Sequence, residues 1–273
     1  MIQNILKKVD ALPPLPKTIL ELQDYKKAGK TEPLELLQIL QKDPLILATL
    51  LKIANSAMFG FSSKVETPKK AIELIGVNFT LSIAFGSAIK SSLKTNPKAY
   101  GLTADSFIEL ANMSSNLLHK WYGSLDATLK ESLLMPVFLQ ETGKFILSDI
   151  ACEEGNEIEF LDKIKQNFTN IAQIEKEYFG YTSSEVTSMI FKQWGLDEHL
   201  INTIKYVSNI DQASSQYKQS AQILNIIQIL CNCIDPLNDK AVDVAINKAK
   251  EYNLYSRSLE KAIETMQDRL LDA

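Results

Sequence analysis

The chain has 273 residues, 45% of them hydrophobic and 23% charged, with a net charge of −4. That is an ordinary globular composition, with length for one large domain or two small ones and for a sizeable core. No apolar run reaches the ~18 uncharged residues of a membrane span, and the opening "MIQNILKKVDALPPLP" lacks a secretory pattern, so the expectation is a cytoplasmic protein with no membrane contact.

Charge is uneven: residues 1–95 carry 13 lysines against 8 acidic residues, a balance of +5 that leaves −9 for the rest. A nucleic-acid binder would show a denser basic patch with arginines to engage bases. The only arginines are Arg257 and Arg269, and lysine lacks the planar fork that grips phosphate or guanine. A solvated lysine face is the better reading, which argues against a nucleic-acid partner. The three cysteines, Cys152, Cys231 and Cys233, have no framework spacing, which argues against structural disulfides. Cys231 and Cys233 lie in "ILNIIQILCNCI", where i and i+2 positions of a helix would point to different sides. They read as small buried hydrophobes rather than a metal pair.

In chain order the period is helical nearly everywhere. "TILELQDYKKA" puts Ile19, Leu22 and Tyr25 on one stripe, and "EPLELLQILQK" does the same with Leu36, Leu37 and Leu40. Asp43 before Pro44 is an N-cap followed by proline at the first helical position, where its missing N–H costs nothing. The helix so begun, "DPLILATLLKIANSAMFG", is interrupted by Asn55 and Ser56. Such residues bond locally to backbone and favour helix ends, so the pair reads as a stop, with Met58 and Phe59 packing back onto the bundle. The functional alternative is a polar contact surface for a ligand or partner. "TPKKAIELIG" repeats the cap design with Thr67 and Pro68 and stops at Gly76. The segment from Lys94 to Ser106 is rich in turn formers and short of core residues, and reads as the internal boundary.

Beyond it, "SFIELANMSSNLLHKWY" opens the second half and "KESLLMPVFLQETGKFILSDIA" is its most apolar element. Thr182 and Glu185 stand in capping-box spacing. "YKQSAQILNIIQILCNCI" is apolar on most faces and belongs inside the bundle. The final "RSLEKAIETMQDRLL" carries Leu259, Ile263, Met266 and Leu270 on one stripe. No segment alternates with period two, so the fold class is all-α.

Three elements in series carry a resemblance: "LPPLP" at Leu12–Pro16, "DPLILATLLKIANSAMFG" at Asp43–Gly60, and "KKAIELIG" at Lys69–Gly76. Together they resemble the N-terminal signature of the HDOD family over about 65 residues, with Ile75 where leucine is usual and weaker likeness running on to about residue 207. The signature residues Asp43, Pro44, Asn55, Ser56 and Gly60 are the candidates for interaction. The resemblance implies an N-terminal helical bundle (1–95) packed on a lobe like that of the HD-type metal phosphohydrolases (96–210); the C-terminal helices (211–273) are expected to pack on that module.

Those enzymes hold metal with histidines and a His-Asp pair. The only histidines here are His119 and His199, followed by Lys120 and Leu200, so no His-Asp pair exists. His119 reads as a bundle residue near a helix end and His199 as exposed in a first helical turn. "LLMPVFLQETGKFIL" resembles the family's Leu-Leu-His-Asp-x-Gly-Lys segment, keeping Gly143 and Lys144 and placing Gln140 and Glu141 at the metal positions. Gln is a poor ligand beside imidazole, and one carboxylate is too few to hold a catalytic ion. The other ligand positions fall at Leu110, Ser183, Tyr206 and Val207. The resemblance therefore implies a degenerate pocket with no catalytic residue, metal or cofactor. No phosphate-cradling glycine loop or Gly-x-Ser-x-Gly motif is present, and Cys152 has no evident base.

The expectation is a non-catalytic HDOD-type regulatory protein, similar to regulators in bacterial signal transduction. Receiver, GGDEF or EAL domains often accompany the family and none lies within these 273 residues, so output would pass through a protein partner or a small ligand. Two alternatives compete: a diverged HD-type phosphohydrolase, separable by metal analysis, and a nucleic-acid-binding helical protein, separable by salt-dependent duplex binding.

Overall fold

The computed structural model describes residues 2–56, 59–93 and 95–271, with residues 270 and 271 described by backbone alone. Met58 and the side chain of Leu270 lie outside the described residues. Among the described residues the regular structure is sixteen α-helices and three single 3₁₀ turns, with no strand.

The first half runs α1 (Ile2–Asp10), α2 (Lys17–Lys27), α3 (Pro33–Leu40), α4 (Pro44–Ala54), α5 (Pro68–Ile75) and α6 (Val77–Leu93). Proline starts α3, α4 and α5. The Asp43 carboxylate accepts from the N–H groups of Leu45 (3.0 Å) and Ile46 (3.4 Å), and the Thr67 hydroxyl from that of Lys70 (3.2 Å). These bonds satisfy donors that a helix start leaves without intrahelical partners. Gly76, at φ 85°, takes a backbone conformation costly for other residues and lets the chain bend 119° between α5 and α6. Every residue from Phe79 to Ile89 of α6 is buried. The Thr80 hydroxyl donates to the Gly76 carbonyl and the Ser82 hydroxyl to that of Asn78, while the Ser87 hydroxyl meets that of Thr49 on α4 (3.3 Å).

The second half runs α7 (Ala104–Tyr122), α8 (Ala127–Leu139), α9 (Gly143–Glu153), α10 (Glu157–Gln166), α11 (Ile171–Phe179), α12 (Ser183–Gln193), α13 (Glu198–Lys205), α14 (Ser215–Leu230), α15 (Asp239–Glu251) and α16 (Ser256–Leu271). Thr182 and Glu185 form the capping box at the start of α12. The apolar element expected between Lys130 and Ala151 is two helices, because Gln140–Thr142 makes a turn in which the Thr142 hydroxyl donates to the Leu139 carbonyl (2.7 Å).

Two other expectations are corrected. The boundary segment is not short of core residues: Ala99, Tyr100 and Leu102 are buried, Tyr100 completely. Its 3₁₀ turn Lys98–Tyr100 lies against α9 and α10, fixed where Ser148 Oγ accepts from the Ala99 N–H and donates to the Asn96 carbonyl. The cysteine pair is not on a helix. Helix α14 ends at Leu230, and the Asn232 amide bonds the backbone of Ile229, Ile234 and Asp235 to close the turn. Cys231 is buried there and Cys233 half-buried.

One buried apolar cluster runs from Ile5 to Met266. Helix α1 packs on α9 and α12, and α6 packs on α8. Lys8 bonds Asp149 and Glu153, and the Trp194 indole N–H donates to the Pro13 carbonyl (2.9 Å). No single helix among the described residues is long and apolar enough to cross a membrane.

Candidate functional site

The polar pair that ends α4 has a definite geometry. The Asn55 side-chain amide donates to the carbonyls of Leu51 (2.8 Å) and Val65 (2.9 Å), and its carbonyl accepts from the Val65 N–H (2.8 Å). One side chain thus adds a second bond to the Leu51 carbonyl, which already accepts from the Asn55 N–H, and pairs both backbone groups of Val65. Ser56 Oγ accepts from the Asn112 side-chain amide on α7 (3.3 Å). The pair ends the helix and ties the following loop to it.

A second polar group is assembled where α8 meets α9. A Cβ on Gly143 would lie 2.2 Å from the Ser183 carbonyl oxygen and 2.9 Å from the Thr187 nitrogen, so only glycine allows this approach of α9 to α12. Thr187 Oγ1 locks it, accepting from the Gly143 N–H (2.7 Å) and reaching the Ser183 carbonyl (2.8 Å). The approach carries Glu141 and Lys144 into the interior beside Ser183.

Lys144 is 2% exposed. Its ammonium bonds Glu141 Oε2 at 2.7 Å, stands 3.8 Å from Cys233 Sγ and lies 4.9 Å from the centre of the Tyr100 ring. Glu141 Oε1 accepts from the Gln228 amide (2.6 Å). Glu175, 1% exposed, accepts from the Tyr100 hydroxyl (3.0 Å) and the Ser183 N–H (2.6 Å). Burial pushes the Glu175 carboxyl up to about 7, Lys144 pulling it down and Glu141 pushing it up. Burial works against the Lys144 charge, but Cys233, Glu141 and Glu175 together hold its ammonium above the ordinary lysine range. A cavity of about 250 Å³ reaches this cluster, with Lys144, Glu175, Ser183 and Gln228 in its wall and Lys248 beside them.

Of the sequence-predicted pocket residues, Glu141, Lys144 and Ser183 come together here, with Gln140 buried in the same turn. Leu110 is half-buried against the apolar core, and Tyr206 caps α13 with Lys205 over its ring. Neither lines the cavity. His119 is exposed in the last turn of α7; His199 is half-buried rather than exposed, its ring 5.6 Å from that of Tyr217. Glu175, Tyr100 and Gln228 were not singled out from sequence, and Cys233 was read only as a small buried hydrophobe.

The donor set does not fit an HD-type metal. Such a site needs imidazoles and carboxylates converging on one point, whereas here the two carboxylates converge around an ammonium. A unit charge ~4 Å from another is worth about 4 kcal/mol at an effective dielectric of 20, so Lys144 would repel a divalent cation placed among these groups. Among the described residues no three His, Cys, Asp or Glu side chains are grouped to hold a metal ion.

The fold and this cluster define a class: an all-helical protein with a lysine and two glutamates clustered in the interior where α8, α9 and α12 meet. Residues 12–210 match the HDOD domain, and the chain belongs to that family. It is similar to a virulence factor of Campylobacter jejuni of known crystal structure, with 26% identity, a TM-score of 0.57, and coverage of 98% of this chain and 100% of the other. An HDOD domain protein from Geobacter sulfurreducens shares the fold at a TM-score of 0.72 and 16% identity, covering 99% of this chain and 94% of the other. An "Uncharacterized protein" of Treponema pallidum (strain Nichols) is 23% identical over 233 residues. That match takes in 79% of this chain but only 41% of the relative's length.

Proposed function

We propose that this HDOD protein is a non-catalytic cytoplasmic regulator that acts through a protein partner or a small ligand. The observation carrying this reading is the buried Lys144 ammonium, 2.7 Å from Glu141, one of the positions that the family resemblance aligns with metal ligands. An internal cation neutralises the carboxylates that would otherwise recruit one, leaving a packed polar core in place of a reaction centre. Asn55 pairs the backbone of Val65 and Ser56 accepts from Asn112, and such fixed contacts favour a preorganised surface for a partner.

The test has two arms. The full chain should show no turnover of nucleotides, phosphomonoesters or cyclic dinucleotides with Mg²⁺, Mn²⁺ or Fe²⁺ supplied. The chain purified from its own cells should carry a stoichiometric protein or small molecule in native mass spectrometry. Metal-dependent hydrolysis by a bare chain would overturn the proposal.

A further inference from the structure

Two buried side-chain oxygens without a hydrogen-bond partner line one cavity. Asn225 on α14 donates its amide to the Val207 carbonyl (3.1 Å), but its own carbonyl oxygen is buried and unpartnered. The hydroxyl of Ser208, the residue after Val207, is buried and equally unpartnered. Both residues line a cavity of about 460 Å³ between the chain leaving α13, the start of α11, α14 and the end of α15. Leaving buried oxygens without a donor is costly, so a molecule that brings O–H or N–H groups to both is favoured there.

The charged groups around this cavity balance, Asp211 and Glu251 against Lys218 and Lys248. Lys248 already meets the Tyr252 hydroxyl (3.3 Å) and lies 5.5 Å from the centre of its ring. Neither an anion nor a cation is called for. Asn170, Asn209 and Gln222 add amides that both donate and accept. Aliphatic carbon is limited to Ala172, Val207 and Ile210, and the one aromatic ring is that of Tyr252.

Such a wall is complementary to an uncharged molecule whose hydroxyls each donate and accept. A flat heterocycle would need apolar cover on both faces, which three aliphatic side chains do not supply. We propose that this cavity binds an uncharged polyol, a monosaccharide or cyclitol, whose hydroxyls donate to Asn225 Oδ1 and Ser208 Oγ. Its C–H face packs on the Tyr252 ring. At about 460 Å³ the space lies within the ~300–1,000 Å³ of small-molecule pockets. The cavity adjoins the one at Lys144, sharing Asn170, Ala172, Asn225 and Lys248 with it. The inference names a class for the small ligand of the proposed function and rests on that reading only for its regulatory meaning. Failure of polyol binding would leave the non-catalytic reading intact, and metal-dependent hydrolysis would leave this cavity intact.

Calorimetric titration of the full chain with glucose, ribose, myo-inositol and glucose 6-phosphate tests it. At least one of the three uncharged polyols should bind saturably at one per chain, and the phosphate ester no more tightly than glucose. Ser208→Ala removes a hydroxyl that makes no hydrogen bond in the folded chain and should weaken that binding about threefold or more. Asn225→Leu and Tyr252→Leu should each weaken it about tenfold. If Asn225→Leu does not fold, Ser208→Ala and Tyr252→Leu carry the test. Three results would overturn the assignment: no saturable binding of any uncharged polyol, unchanged affinity in both Ser208→Ala and Tyr252→Leu, or glucose 6-phosphate binding more tightly than glucose.

Discussion

Replacing Lys144 by methionine keeps most of the side-chain volume and removes one buried charge. The ammonium is within bonding distance of Glu141 and close to Cys233 and Tyr100, with its side chain 3% exposed. Its loss strands Glu141, 15% exposed in its side chain, beside a Glu175 that burial already pushes up to about 7. Removing one partner of a buried pair costs ~3–5 kcal/mol because the other charge is left uncompensated. At ~2–4 °C per kcal/mol for a chain approaching this size, the melt should fall by roughly 6–20 °C. The double variant Lys144→Met/Glu141→Gln removes both charges and should recover a large part of that loss. Denaturant unfolding of the wild type, both single variants and the double variant gives the coupling directly. A Lys144→Met protein within about 0.5 kcal/mol of wild type, the scale of an unremarkable surface change, would refute the view that this ammonium holds the cluster together.

Glu175 makes stability depend on pH. Its folded value, raised from 4.5 to about 7, contributes stability that is complete below pH 4.5 and lost as pH rises through 7. Relative to wild type, Glu175→Gln should therefore gain about 3 kcal/mol between pH 4.5 and 8, at ~1.4 kcal/mol per unit; a flat difference across that window would contradict the placement of Glu175. Asn55→Ala leaves both backbone groups of Val65 unpaired and should cost ~1–3 kcal/mol while the folded fraction binds its partner normally. A variant that melts like wild type yet fails to bind would make Asn55 a contact residue instead. Residues 1–95 alone lose the α9 and α12 surfaces under α1 and the α8 surface under α6, so the fragment should not melt sharply as a monomer; a cooperative monomeric melt would show an independent N-terminal domain.

Local signals were readable in the sequence because their partners lie within a few residues. The Asp43 and Thr67 caps, the Gly76 bend, the Thr182–Glu185 box and the Asn55 stop all depend on neighbours in the chain. Gln140, Glu141, Lys144 and Ser183 were found through the order of family motifs. Tyr100 was hidden by the turn formers around it, since its burial comes from α9 and α10. Glu175 looks like any helical surface carboxylate; its burial depends on Tyr100 and Ser183, 75 and 8 residues away. Cys233 was misplaced because the apolar pattern continues past Leu230, and only the Asn232 side chain ends the helix.

The most direct test of the central claim is elemental analysis of the tag-free chain after equilibration with excess Mn²⁺, Fe²⁺ or Zn²⁺ and desalting. A pocket neutralised by Lys144 predicts far less than one metal per chain and no change in the melt on adding metal. One tightly held metal per chain, lost on mutating Glu141 or Glu175, would contradict it.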